Sequence, residues 1–180
     1  MMPTDDDLTA AITTATRSAI RELFAKFPSD HFYWCALITT PEGHPPVLCA
    51  WSREALEAEA SKEPDPADAS FMYKWSYAES PFYCFGETHY AAVNALFEQR
   101  PSAVDPDPEI RRAEYKARLA AMERAMATLD REGLFGAGAS RLSIVVNVAV
   151  VPPDSSNQER ARRLNPPEAL VEWATDRAEV

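Results

Sequence analysis

"RLSIVVNVAVV", residues 141–151, decides how the rest of the chain is read. Side chains alternate along a strand, so Leu142, Ile144, Val146, Val148 and Val150 share one face while Val145, Asn147, Ala149 and Val151 take the other. Apolar residues on both faces predict a central strand covered on each side. There the amide of Asn147 needs hydrogen-bond partners, a structural demand before a catalytic one.

Working outward, "HFYWCALITT" (31–40) and "PVLCAWS" (46–52) are rich in aromatic and β-branched residues and flank the turn-forming "PEGHP". They predict an antiparallel hairpin. "FMYKWSY" (71–77) places Phe71, Tyr73, Trp75 and Tyr77 at every second position, which predicts a further core strand. The continuation "AESPFYCFGE" turns at Pro81, so the side chains expected to face water or a ligand are Tyr77, Glu79 and Tyr83.

Helical signals separate these strands. Thr4 followed by Asp7 forms a capping box ahead of Leu8, Ile12, Ile20 and Leu23. Ser52 caps "REALEAEA" and Thr88 caps a segment carrying Tyr90, Val93 and Phe97 on one face. Residues 109–131 carry Tyr115, Leu119, Met122, Met126 and Leu129 at helical spacing, with Glu114 and Arg118 as an i,i+4 pair, and Gly133 as the stop. Ser156 with Glu159 and Asn165 with Glu168 start two short C-terminal helices. Residues 61–70 and 101–108 read as polar, Pro-containing loops. The expected fold is a single α+β domain over 1–180, with a mainly antiparallel sheet of about four to five strands packed by four to six helices.

Twenty-eight acidic residues against 18 basic ones give a net charge of -10. A general nucleic-acid or anionic-membrane binder would work against that field, so neither partner is expected and a basic protein partner is favoured. Cys35, Cys49 and Cys84 form no CxxC pair, and His31, His44 and His89 sit in no metal-ligand spacing, so no metal is expected. "GLFGAGASR" precedes a strand instead of following one, and no GxxxxGKS or GxSxG occurs, so no cofactor is expected. The acidic start "MMPTDDDLTAAI" lacks the basic region of a signal peptide, and no apolar run is long enough to span a bilayer, which points to a cytoplasmic protein.

Two constellations carry possible chemistry. Glu79 and Glu87 bracket the aromatic stretch and form the candidate acid/base pair. In "NQERARRLNP", Arg160 and Arg163 lie three apart on one helical face with Arg162 beside them, enough to hold a carboxylate or phosphate.

The ordered motifs "AWSREAL", "KWSYAESPFYCFGE", "EGLFG" and "VVNVAVVPPDSSNQERARRLNP" resemble a bacterial family catalogued only as a domain of unknown function, number 4303. The resemblance covers most of the chain and implies no catalytic residues. As a class, small acidic α+β proteins of this kind are similar to immunity proteins that neutralise toxins used between bacteria.

The first functional expectation is therefore a cytoplasmic, non-enzymatic module, of immunity type, that binds and occludes a basic toxin or other protein partner through Tyr77, Glu79, Tyr83, Arg160 and Arg163. The alternative is an enzyme of unfamiliar type acting on a small ligand between the aromatic stretch 71–86 and the Arg-rich helix 157–164, with Glu79 or Glu87 as acid or base.

Overall fold

A computed structural model describes residues 2–178. Three strands form one mixed sheet in the order β2-β1-β3, with β1 Phe32–Thr39, β2 Val47–Ser52 and β3 Val145–Val150. The hairpin is as expected, Cys35 pairing with Ala50 and Leu37 with Leu48 in antiparallel register. The third strand runs parallel to β1, Ala36 opposite Asn147 and Leu37 opposite Val148. The expectation of four to five mainly antiparallel strands packed by four to six helices is thus corrected to three strands in a mixed sheet packed by seven α-helices among the described residues. A parallel partner needs a long crossover, and the helical chain between β2 and β3 supplies it.

The helices are α1 Asp5–Lys26, α2 Arg53–Ala60, α3 Pro66–Tyr73, α4 Ala91–Glu98, α5 Pro108–Arg131, α6 Ser155–Leu164 and α7 Val171–Ala178. They form an outer layer on each side of the sheet. On one side Leu8, Ile12, Met122 and Met126 pack on Leu37, Leu48, Val146 and Val148. On the other, Trp34, Ile38, Trp51 and Ala149 pack with Ala161, Leu170 and Trp173. The capping box of α1 is present, with Thr4 and Asp7 bonded reciprocally.

Residues 71–77 are not a strand. Asp65 accepts the Ala67 and Asp68 N–H groups, Pro66 takes the first helical position, and α3 runs through Phe71 to Tyr73. The loop expected at 61–70 is therefore half helix. Phe71 and Met72 are exposed rather than core, while Tyr73, Trp75 and Tyr77 are half-buried. The chain beyond α3 instead covers the open edge of β2. The Ser80 hydroxyl donates to the Ala50 carbonyl and the Phe85 N–H to the Leu48 carbonyl, and the Trp51 indole N–H reaches the Ser76 carbonyl at 2.6 Å. Gly86, at φ 66°, lets this chain turn against α1, where a Cβ would stand 2.8 Å from the Ala19 methyl.

β3 is covered on both faces as expected, but it starts at Val145 rather than residue 141 and lies at the other edge of the sheet. Its outward backbone groups are met by side chains. Asn165 bonds both the N–H and the C=O of Val146, and Asn157 does the same for Val150. Between them Arg160 donates to the Val148 carbonyl at 2.7 Å, and the Asn147 side chain accepts the Val148 N–H. Asn165 does not start a helix as expected but stands at the C-cap of α6, its side chain donating to the Ala161 carbonyl, and the N-cap of α6 is Asp154, not Ser156. An edge closed by side chains offers no template for a further strand.

At the entrance to β1 the His31 imidazole Nδ1 lies 2.5 Å from a Glu54 carboxylate oxygen whose partner oxygen accepts the His31 N–H. The bond to Glu54 raises the imidazole above its ordinary 6.5, and His31 in turn holds the carboxyl down at about 2. A raised histidine contributes stability that is complete below the unfolded value and lost as pH rises through the folded one. Glu54→Gln is expected to return the His31 titration, followed by the imidazole proton shifts in NMR, to near 6.5. An unchanged titration in that variant would show that the pair does not form.

Candidate functional site

Between the segment after α3, the start of α6 and the inner face of α7 lies a cavity of about 660 Å³. Its walls are aromatic: Trp34 from β1, Phe71 and Trp75 from α3 and its extension, Tyr77, and Trp173 from α7. Polar side chains enter from one side, Asn147 from β3 and Asp154, Asn157 and Gln158 from α6, with Asp176 of α7 opposite. Among the described residues, Asp154 and Asp176 are the charged side chains in this lining. Mostly apolar walls with a few convergent polar groups are the ordinary make-up of a binding pocket.

Each wall is held in place. Tyr33 stands edge-on to Trp75 at 5.1 Å, and its hydroxyl donates to the Lys74 carbonyl at 2.6 Å. Burial pushes the Tyr33 phenol well above its usual range, so that hydroxyl stays a donor. The Trp75 indole N–H donates to Asp176 at 2.7 Å. Lys74 bridges Asp176 and Glu172, and Arg53 grips Glu172 with both arms while lying 4.4 Å over the Tyr33 ring. Arg53 is the first cause of holding the Glu172 carboxyl down at about 2, so this clamp on α7 stays charged through the ordinary acidic range.

The sequence-derived residues distribute unevenly around this cavity. Tyr77 lines it, and its ring lies 5.5 Å from that of Tyr83, which is 42% exposed outside the lining. Glu79 is exposed and accepts the Ser76 hydroxyl. Glu87 is exposed in the 3-10 turn Glu87–Tyr90, and neither carboxylate lines the cavity. Arg160 is buried, 3% exposed, and its guanidinium serves the β3 edge, bonding Val148 and Asn157. Arg163 is exposed and bonded by two nitrogens to Glu123 at 3.0 Å. The aromatic stretch and the arginine helix therefore do meet, but through Tyr77, Asn157 and Gln158 rather than through Glu79, Glu87 and the arginines.

Trp34, Trp173, Asp154 and Asp176 are the lining groups that sequence reasoning did not single out. The need of Asn147 for partners is legible in the sequence, and "PPDSS" carries a cap signal at Asp154, but nothing local brings residues 34, 75, 147 and 173 together. Burial pushes the Cys35 and Cys49 thiols up to about 12, so both are protonated and unreactive at neutral pH.

Among the described residues no helix is long and apolar enough to cross a membrane. A family model described as a domain of unknown function (DUF4303) matches residues 12–166. No curated protein and no solved structure matches the chain.

Proposed function

The chain belongs to the DUF4303 family, and from the geometry of its aromatic cavity we propose that it is a non-enzymatic module that binds a basic protein partner. In its most specific form it is an immunity-type protein that occludes a basic toxin. The observation that carries this reading is the lining itself, in which, among the described residues, aromatic walls meet two carboxylates and no cation. Phe71 and Met72, 43% and 63% exposed, stand at the rim as apolar surface that a partner could cover. Tyr83 extends the same face outward through its ring contact with Tyr77. Interfaces concentrate their energy in such aromatic anchors, and the net charge of -10 steers a basic partner toward them.

Co-expression with the product of the neighbouring gene, followed by co-purification at low and high salt, tests the reading. A complex is expected that weakens as salt rises and loses about tenfold or more in affinity with Phe71→Ala and Tyr83→Ala combined. No complex at either salt, or one indifferent to both substitutions, counts against it.

A further inference from the structure

We infer that the cavity between Trp75, Tyr77 and α6 is the receptor for a single arginine side chain presented by an extended segment of the partner. The inference rests on the binding reading above and specifies what enters the site.

Three features of the cavity select this occupant. The first is charge. Asp154 and Asp176 line the space with no lysine, arginine or histidine among the described lining residues. Asp176 already meets Lys74 and the Trp75 indole, each at 2.7 Å, so among the described residues Asp154, exposed and influenced by Arg160 only at longer range, is the lining carboxylate with no cation bonded to it. Its hydrogen bonds to Ser156, the largest cause, hold the Asp154 carboxyl below its ordinary value, which keeps it anionic at neutral pH.

The second feature is the wall chemistry. Trp75 and Tyr77 are half-buried side chains whose rings border the cavity, and Phe71 closes its rim. A guanidinium is planar and weakly hydrated, so it stacks on aromatic faces and leaves water more readily than an ammonium does. The protein already uses this pairing twice, with Arg53 4.4 Å over Tyr33 and Arg118 4.6 Å over Phe97. A carboxylate beside aromatic walls suits a delocalised cation better than a neutral apolar group, which would cover Asp154 without supplying a countercharge.

The third feature is a donor on the cavity wall. Asn147 is 3% exposed, and its side-chain oxygen accepts the Val148 N–H. Its amide nitrogen makes one bond, 3.4 Å long, to the Asn157 carbonyl. One N–H of that amide is left without a protein acceptor among the described residues. A peptide carbonyl of the bound segment supplies the acceptor, so the site matches a residue carrying both a cation and a backbone C=O. The volume of about 660 Å³ exceeds one side chain and accommodates the flanking peptide units.

The test uses the whole protein and two end-blocked tripeptides, acetyl-Gly-Arg-Gly-amide and the same peptide with citrulline, the uncharged isostere of arginine. Three of the four tryptophans, Trp34, Trp75 and Trp173, line the cavity, so intrinsic fluorescence reports occupancy directly. The arginine peptide is expected to shift the emission saturably at concentrations on the order of millimolar, and the citrulline peptide to bind about tenfold more weakly. Asp154→Asn keeps the helix cap, because asparagine is as good an N-cap as aspartate, while removing the charge. It is expected to weaken the arginine peptide about fivefold and to leave the urea unfolding midpoint at the parent value. Tyr77→Leu, which removes the ring without touching the helix cap, is expected to weaken it by a similar factor.

Equal binding of the two peptides, or binding by neither, overturns the inference. The two levels separate cleanly. A protein partner captured equally well by the parent, Asp154→Asn and Tyr77→Leu overturns the arginine site while leaving protein binding standing. Peptide binding that follows the expected order without any protein partner overturns the binding-module reading and keeps the cation site.

Discussion

Glu114→Gln is expected to lower the free energy of unfolding by about 3–5 kcal/mol, because it removes the charge that two buried arginines share. Glu114 sits on α5 at 6% exposure and accepts both Arg100 and Arg118, at 2.7 Å each. The arginines are themselves buried, and their remaining nitrogens are spent on the carbonyls of Pro3, Gly43 and Pro101. Asp5 adds a second carboxylate to Arg100, so two cations face two anions. The cluster therefore ties together the start of α1, the β1–β2 turn, the chain after α4 and the middle of α5. Glutamine in place of Glu114 preserves the shape but leaves two guanidiniums facing one partly exposed carboxylate, and the desolvation of the uncompensated charge supplies the loss.

Urea unfolding followed by tryptophan emission measures the change, with a shifted midpoint and an unchanged slope. A loss below about 1 kcal/mol would mean that water reaches the cluster and that the pair behaves as an exposed one. The same site has a pH signature. Burial alone would raise the Glu114 carboxyl, but the bonds to Arg100 and Arg118 outweigh it and hold the group below 4.5. A depressed carboxyl contributes stability that is complete above its unfolded value and lost as pH falls through the folded one. Acidification below about pH 4.5 should thus cost the parent more than Glu114→Gln.

Glu114 and Arg118 also show what local pattern can and cannot say. Their i,i+4 spacing was enough to predict the pair, yet spacing on a helix carries no information about burial, and Arg100 joins from 14 residues away. The hairpin, the long α5, the Thr4 capping box and the double-sided burial of β3 were legible because each follows from local alternation, helical period or capping chemistry. The aromatic alternation at 71–77 misled because "DPADAS" carries a stronger local signal, an aspartate cap with proline at the first helical position. The cavity was out of reach for a different reason. Its walls come from residues as far apart as Trp34 and Trp173, and only the parallel docking of β3 and the clamp on α7 bring them together. Of those walls, sequence pattern marked Tyr77 as facing water or a ligand and read Phe71 and Trp75 as core, and it marked the need of Asn147 for partners, but not that they share a space.

The arginines 160 and 163 give the second large effect, because the same motif assigns them the same role and the structure assigns them different ones. Arg160→Met is expected to cost about 2–3 kcal/mol, whereas Arg163→Met should cost no more than about 1 kcal/mol. Arg160 donates to the Val148 carbonyl and to Asn157, whose side chain in turn holds both backbone groups of Val150. Removing the guanidinium leaves a buried carbonyl at the sheet edge without a donor and frees the asparagine that closes the adjacent step. The burial that lowers the Arg160 guanidinium from its ordinary value offsets part of this loss, since methionine carries no desolvation cost. Arg163 bridges Glu123 in solvent, where screening and side-chain entropy consume most of the Coulomb energy. Hydrogen exchange separates the two roles further. In Arg160→Met the amide protons of Val148 and Val150 should exchange faster than in the parent, while Arg163→Met leaves them unchanged. If instead the two variants are equally stable and equally protected, Arg160 is not what closes the β3 edge, and its place as a ligand-holding residue beside Arg163 is restored.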